Sequence, residues 1–160
     1  MEWTATARAN ATPSEVLEVL THPEEIRRWS PVDFDLDELE GNRLAAGTRG
    51  RVTGRVAGVS VGFDVEVHAA DEARLELSAQ GPVALDVRYD LMPGEAGAEL
   101  NASVSIRRAG GLTGRLVETA TAALLSAGAL DGAAGRIASV AESGALSRRE
   151  PARAVAVAAG

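Results

Sequence analysis

The sequence from Val59 to Val67 reads Val-Ser-Val-Gly-Phe-Asp-Val-Glu-Val, so large apolar side chains alternate with small or charged ones. A period of two with this polarity split predicts a half-buried antiparallel strand, with one face on a core and the other in water. Short polar turns separate five such stretches, at about residues 48–56, 59–69, 73–80, 82–92 and 97–107. Because connections this short join antiparallel neighbours, the sequence predicts a five-stranded meander.

An Ala- and Leu-rich segment follows the last strand, and its apolar side chains recur at helical spacing, which predicts one long helix over residues 112–141. The glycines at 128, 132 and 135 weaken a helix, and they predict a bend near Gly128 or a close helix contact, such as one across a homodimer. A curved meander closed by one long helix predicts an α+β helix-grip fold around an apolar hollow. The inward stripe of this helix is Leu112, Leu116, Ala120, Ala123, Leu124, Ala127, Leu130, Ala134, Ile137 and Ala141.

The chain before the meander has its own start and stop signals. Residues 2–9 alternate like a strand, and Thr12-Pro13-Ser14-Glu15 is a capping box with proline at the first helical position. A second helix start at Thr21-His22-Pro23-Glu24 predicts two short helices, followed by a strand at residues 32–36. Residues 143–160 lack amphipathic periodicity, so we expect a domain over 1–142 and a flexible tail over 143–160.

The helix-pair segment carries a family resemblance. Residues 11–31 read Ala-Thr-Pro-Ser-Glu-Val-Leu-Glu-Val-Leu-Thr-His-Pro-Glu-Glu-Ile-Arg-Arg-Trp-Ser-Pro, which resembles the opening of the START-like superfamily. The subgroup it looks most like is the bacterial polyketide cyclase/dehydrase and lipid-transport group, or SRPBCC proteins. Leu17 stands where that pattern has an aromatic residue, and His22 where it has Asp or Asn. The resemblance implies a START/Bet v1-like helix-grip fold with two short helices after the first strand. Because the motif is structural, it implies little about activity.

Alternation places one polar side chain, that of Tyr89, on the inward face of the meander. Its hydroxyl either bonds a ligand carbonyl or enolate, or reaches water or backbone as in an ordinary core tyrosine. Trp29 either walls the cavity entrance or anchors the second short helix, and the two roles are compatible. The small residues in the middle of the long helix indicate either an apolar void or close packing. The expected ligand-binding residues are Trp29, Phe34, Val52, Val61, Phe63, Leu77, Val87, Tyr89, Ala102, Ala120, Ala123, Leu124 and Ala127.

Composition excludes several classes of site. Cysteine is absent, and the two histidines, His22 and His68, have no neighbouring ligand cluster, so we expect no metal and no cofactor. The formal charge of −7 argues against nucleic acid as a partner. The segment from Gly110 to Gly114 lacks the spacing of a phosphate cradle. No signal peptide or membrane-inserting segment is visible, which predicts a cytoplasmic protein.

These patterns predict a container for a hydrophobic small molecule, lipid-like or polyketide-like. Two alternatives stay open. One is a polyketide cyclase or aromatase that acts mainly by folding its substrate, with Tyr89 as a weak candidate acid. The other is a non-catalytic protein that binds a protein partner and has a filled core. The scarcity of inward chemistry favours binding over catalysis.

Overall fold

The computed structural model describes residues 1–56, 58–95 and 97–159, with side chains described as far as Leu146 apart from those at 57 and 96. Seven strands form one curved antiparallel sheet in the order β1-β7-β6-β5-β4-β3-β2. The predicted meander is confirmed as the five consecutive strands from β3 to β7. In chain order the elements are β1 (Glu2–Ala9), α1 (Pro13–Thr21), α2 (Pro23–Trp29), β2 (Phe34–Leu39), β3 (Arg49–Val56), β4 (Val59–Ala70), β5 (Arg74–Gln80), β6 (Val83–Gly94), β7 (Gly97–Ala109), α3 (Gly111–Ser126) and α4 (Ala129–Ala159).

The two short helices start where the sequence predicts. The Thr12 hydroxyl accepts a hydrogen bond from the Glu15 backbone N–H at 3.2 Å, and the Glu15 carboxylate accepts one from the Thr12 N–H at 2.9 Å. This reciprocal pair satisfies two amides that a helix start leaves open. At the end of α2, Arg136 of α4 donates from Nε to the Trp29 carbonyl at 3.1 Å, which ties α2 to α4.

The apolar residues form two separate packed clusters. The larger cluster lies where α1 and α4 meet β1 and the central strands, and its most deeply buried members include Leu20, Leu75, Leu100 and Ile137. The smaller cluster lies under the first half of α3, and its buried members are Val61, Phe63, Ala79, Val83 and Val117. Two separated clusters leave the part of the sheet between them less completely covered.

The helix predicted over 112–141, with a bend near Gly128, is divided into two helices. Two helices, α3 and α4, occupy this region, and the break between them includes Gly128, whose φ is +96°. Glycine tolerates this conformation because it has no Cβ to clash. The bend predicted at this glycine is thus a complete break.

The break also explains which stripe residues were wrong. In α4 the predicted residues Leu130, Ala134, Ile137 and Ala141 are buried, as expected. In α3 the predicted Leu112 and Leu116 are exposed, at 83% and 71%, and the buried positions are Gly114 and Val117. A single helical phase counted back from α4 cannot pass through the break, so it assigns the wrong face of α3.

Helix α4 extends to Ala159, beyond residue 142, where amphipathic periodicity ends. The segment is rich in alanine, which favours helix even without an apolar face. The division into a domain over 1–142 and a flexible tail over 143–160 stays a prediction.

Candidate functional site

A hollow with a volume of about 350 Å³ lies between the sheet and the helices. Strands β2 to β7 supply most of its wall, and α2, α3, α4 and the loops on either side of β2 supply the rest. The lining residues are Pro23, Ile26, Trp29, Ser30, Pro31, Val32, Phe34, Leu36, Leu39, Leu44, Thr48, Gly50, Val52, Gly54, Val56, Phe63, Val65, Val67, Leu77, Leu85, Val87, Tyr89, Val104, Thr121, Leu124, Leu125, Leu130 and Ala133.

Several apolar side chains at the centre of the sheet are only half-buried, although they point inward. Val52, Val65, Leu77, Leu85 and Val87 come from four adjacent strands, and each lines the hollow. In a close-packed interior such residues lose almost all contact with solvent. Their residual exposure indicates that the helices cover them only in part and that open space remains beside them.

The rim combines the second half of α3 with the segment that enters β2. Thr121, Leu124 and Leu125 of α3 are partly exposed, as is Phe34 at the start of β2. The Arg27 guanidinium lies 4.9 Å from the centre of the Phe34 ring and donates to the Phe34 carbonyl at 3.0 Å. A cation over an aromatic face holds the ring in place, so Arg27 orients one side of the rim.

Trp29 anchors the second short helix and also lines the hollow, while its place at the cavity entrance stays a prediction. Its side chain is 7% exposed, and its indole N–H donates to the Val19 carbonyl at 3.0 Å, which fixes α2 against α1. The same ring lines the hollow and meets Tyr89 edge to face, with centroids 6.0 Å apart. Aromatic rings in this arrangement attract each other beyond the effect of burial.

Tyr89 is the polar group at the back of the hollow. The residue is 6% exposed, and its hydroxyl has no hydrogen-bond partner among the described residues. No side-chain oxygen or nitrogen in that part of the chain is both sealed from solvent and unpaired, so the hydroxyl faces the open space. Burial raises the pKa of Tyr89 above its ordinary value of 10.0. The group is therefore a neutral hydrogen-bond donor at physiological pH.

Eight of the thirteen residues predicted for the site line the hollow: Trp29, Phe34, Val52, Phe63, Leu77, Val87, Tyr89 and Leu124. The other five do not. Val61 packs in the smaller cluster and Ala102 in the larger one. Ala120 and Ala123 of α3, and Ala127 at its C-terminal cap, are not among the lining residues. Contact of the eight with a ligand stays a prediction.

The sequence missed helix and loop residues that complete the wall. Thr121 and Leu125 lie four and eight residues after Val117, so they share its inward face in α3. This spacing identifies them only when α3 is treated as a helix separate from α4. Val32 and Leu36 alternate with Phe34 and share its inward face, so the period-two pattern could have found them. Leu44 lies in a loop, where no periodicity points to it.

The remaining motifs have structural roles. Arg51 and Asp64 form a cross-strand ion pair on the outer face, with Nη1 and Oδ1 2.8 Å apart. A Cβ on Gly114 would lie 2.6 Å from the Pro82 carbonyl oxygen, so this glycine allows α3 to approach the sheet.

Among the described residues, no three His, Cys, Asp or Glu side chains form a group suited to a metal. No described helix combines the length and apolar character needed to cross a bilayer.

The fold is similar to that of several solved structures. Protein TTHA0849 of Thermus thermophilus matches with a TM-score of 0.65 and 16% identity, over 90% of this chain and 99% of its own. Protein CV1439 of Chromobacterium violaceum matches with a TM-score of 0.62 and 14% identity, over 84% and 95%. Ara h 8.0201, a Bet v1-like protein, matches with a TM-score of 0.58 and 18% identity, over 87% and 98%. At these identities the likeness shows the START/Bet v1-like helix-grip fold alone.

No curated protein is similar enough in sequence to count as a match. Residues 2–142 match the protein family described as polyketide cyclase / dehydrase and lipid transport. The match includes every strand, both short helices, α3 and α4 as far as residue 142. The chain therefore belongs to the polyketide cyclase/dehydrase and lipid-transport family of SRPBCC proteins.

Proposed function

We propose that this protein binds a hydrophobic small molecule, lipid-like or polyketide-like, in the hollow between α3 and the sheet. The observation that carries the proposal is an open volume of about 350 Å³ with an almost wholly apolar lining. A volume of this size is at the lower end of the range for ligand pockets. Apolar cavities accept apolar ligands readily because water gains few hydrogen bonds inside them.

The family and the fold support this proposal in general terms. The family description names lipid transport beside polyketide cyclases and dehydrases, and both kinds of protein handle apolar molecules. The alternative of a filled core is disfavoured by the open volume itself. Cytoplasmic location and homodimer formation stay predictions.

Catalysis is the second candidate, because an unpaired Tyr89 hydroxyl faces the hollow. A cyclase in this fold would fold a flexible chain and exclude water, with Tyr89 as a hydrogen-bond donor to a carbonyl or enolate. General acids work best when their pKa is near the operating pH, and burial moves the pKa of Tyr89 away from it. Binding without catalysis is therefore the better-supported function.

The test uses Nile red, a neutral apolar dye whose fluorescence rises in an apolar environment. Val65→Trp should block the hollow, because Val65 points into it and its cross-strand neighbours are the small residues Gly50 and Ala79. We expect the wild type to bind the dye and Val65→Trp to lose binding, with modest loss of stability since tryptophan fills space that is already empty.

Ala123→Trp is the matched control. Ala123 is exposed and does not line the hollow, so the same large side chain should leave dye binding unchanged there. Thermal melts of both variants establish that they are folded. A wild type that fails to bind the dye, or a Val65→Trp variant that is folded and still binds it, would contradict the proposal.

A further inference from the structure

The polar groups that line the hollow differ in whether they are already paired. The Trp29 N–H bonds Val19, the Ser30 hydroxyl donates to the Val32 carbonyl at 2.7 Å, and Thr48 Oγ1 accepts from the Ala45 N–H at 3.2 Å. The hydroxyls of Tyr89 and Thr121 have no partner among the described residues. A ligand in the hollow thus meets two hydroxyl groups without any protein partner, one from the sheet and one from α3. The Thr48 hydroxyl accepts one hydrogen bond and donates none among the described residues.

Charge is missing from the same wall. None of the described residues that line the hollow is Asp, Glu, Arg, Lys or His. A carboxylate or phosphate held inside would leave water without gaining a cation, because the Arg27 guanidinium covers Phe34 at the rim and does not line the hollow. This loss of hydration strongly disfavours its binding. The formal charge of −7 on the whole chain also repels anions on approach.

The position of Tyr89 makes its hydroxyl the better of the two donors. Tyr89 is 6% exposed and its ring is held by Trp29, so its hydroxyl is oriented before a ligand arrives. Thr121 is only partly buried at the rim, where water can pair with it. An acceptor oxygen that meets Tyr89 replaces no existing protein hydrogen bond and gains one in an apolar setting.

We propose that the hollow selects neutral apolar ligands that carry an acceptor oxygen, such as a ketone or ester, placed against the Tyr89 hydroxyl, and that it discriminates against the corresponding carboxylate. This inference rests on the proposed function and adds the ligand class. It separates neutral ketides and esters from free fatty acids or aromatic acids as occupants.

The test uses three naphthalenes substituted at the same ring position: the methyl ketone, the carboxylate and the ethyl hydrocarbon. Each displaces Nile red from the wild type, Tyr89→Phe and Thr121→Val at neutral pH. We expect the ketone to bind the wild type at least about tenfold more tightly than the carboxylate. Tyr89→Phe should weaken the ketone about three- to tenfold and leave the ethyl compound unchanged within about twofold. Thr121→Val should weaken the ketone less than Tyr89→Phe does, because water can pair with the Thr121 hydroxyl at the rim.

A measurement on the wild type alone keeps the inference testable if Tyr89→Phe does not fold. The infrared carbonyl stretch of the bound ketone should lie at lower frequency than in an alkane, because a hydroxyl donates to it. Three results would each overturn the inference. They are an unshifted carbonyl stretch, equal affinity of the wild type for ketone and carboxylate, and an unchanged ketone affinity in a folded Tyr89→Phe. A larger effect of Thr121→Val would overturn the assignment to Tyr89. Failure of Nile red itself to bind would instead overturn the proposed function.

Discussion

Helices α3 and α4 are neighbours in the chain and similar in composition, yet they are held to the sheet very differently. Helix α4 buries a continuous stripe that includes Leu130, Ala134, Ile137 and Ala141. Helix α3 buries only Gly114 and Val117, both near its start, and its second half lies over the hollow. Helix α4 is part of the core along this stripe, whereas the second half of α3 covers an open space.

The difference shows that helical propensity does not decide what a helix does in this fold. Both segments contain many alanines and leucines, and both form helices. Backbone freedom at Gly128, with φ at +96°, lets α3 take a rotation and direction of its own. The hollow exists because α3 does not continue the close packing of α4 along the sheet.

The largest contrast should come from truncating one apolar side chain in each helix. Ile137 is fully buried in α4, so Ile137→Ala should lower the free energy of unfolding by about 2–5 kcal/mol. Leu124 in α3 is half-buried and already faces open space, so Leu124→Ala should cost about 1 kcal/mol. Urea denaturation of both variants measures the two values. Equal losses would show that α3 packs as firmly as α4.

The break between the helices can be tested by adding one methyl group within it and, in a second variant, one inside α4. Gly128→Ala places a Cβ at φ +96° and should cost about 1–2 kcal/mol of unfolding free energy. Gly135→Ala in α4 has open space and no positive φ, so it should instead stabilise by about 0.5–1 kcal/mol. Opposite signs in thermal melts support the break. A stabilising Gly128→Ala would indicate one continuous helix.

Tyr89 reports how well α3 covers the hollow. Burial raises the pKa of Tyr89 in the folded protein, whereas the unfolded chain ionises near the ordinary value of 10.0. The folded state therefore binds more protons above about pH 10, and its stability should fall as the pH rises further, with no effect of this group at neutral pH.

Because the chain has a single tyrosine, tyrosinate absorbance measures its ionisation directly. We expect no signal from the native protein as the pH passes 10.0, and a cooperative rise when the protein unfolds. Tyr89→Phe, which cannot ionise, is the control for stability. Ionisation of the native state near the ordinary pKa would mean that water enters freely beneath α3.

The smallest effect should come from the outer face of α3. Leu116 is 71% exposed, so Leu116→Gln should change the free energy of unfolding by no more than about 0.5 kcal/mol. Its neighbour Val117 is 3% exposed, and Val117→Ala should cost about 1.5–3 kcal/mol. Chemical denaturation compares the two. A large loss of unfolding free energy in Leu116→Gln would mean that Leu116 is buried, as the sequence pattern predicts, and would contradict its exposure on the outer face of α3.

The strand alternation found most of the site that lies on the sheet. In a strand the direction of a side chain follows from parity, so Val52, Phe63, Leu77, Val87 and Tyr89 were placed on the hollow from sequence alone. Parity does not say whether an inward residue meets a cavity or a packed neighbour. Val61 and Ala102 share that inward face but are covered by side chains from distant parts of the chain.

The sequence by itself determined the order of the elements, the antiparallel meander, the capped helix pair and the family, because these follow from local periodicity, caps and a contiguous motif. Only the tertiary structure decided that the bend predicted near Gly128 is a complete break, which face of α3 turns inward and where the sheet stays uncovered. Those features depend on backbone angles at Gly128 and on contacts between residues far apart in the chain. The glycine at 128 indicated where the segment would bend, but local periodicity continues through the break and could not show how α3 is oriented before it.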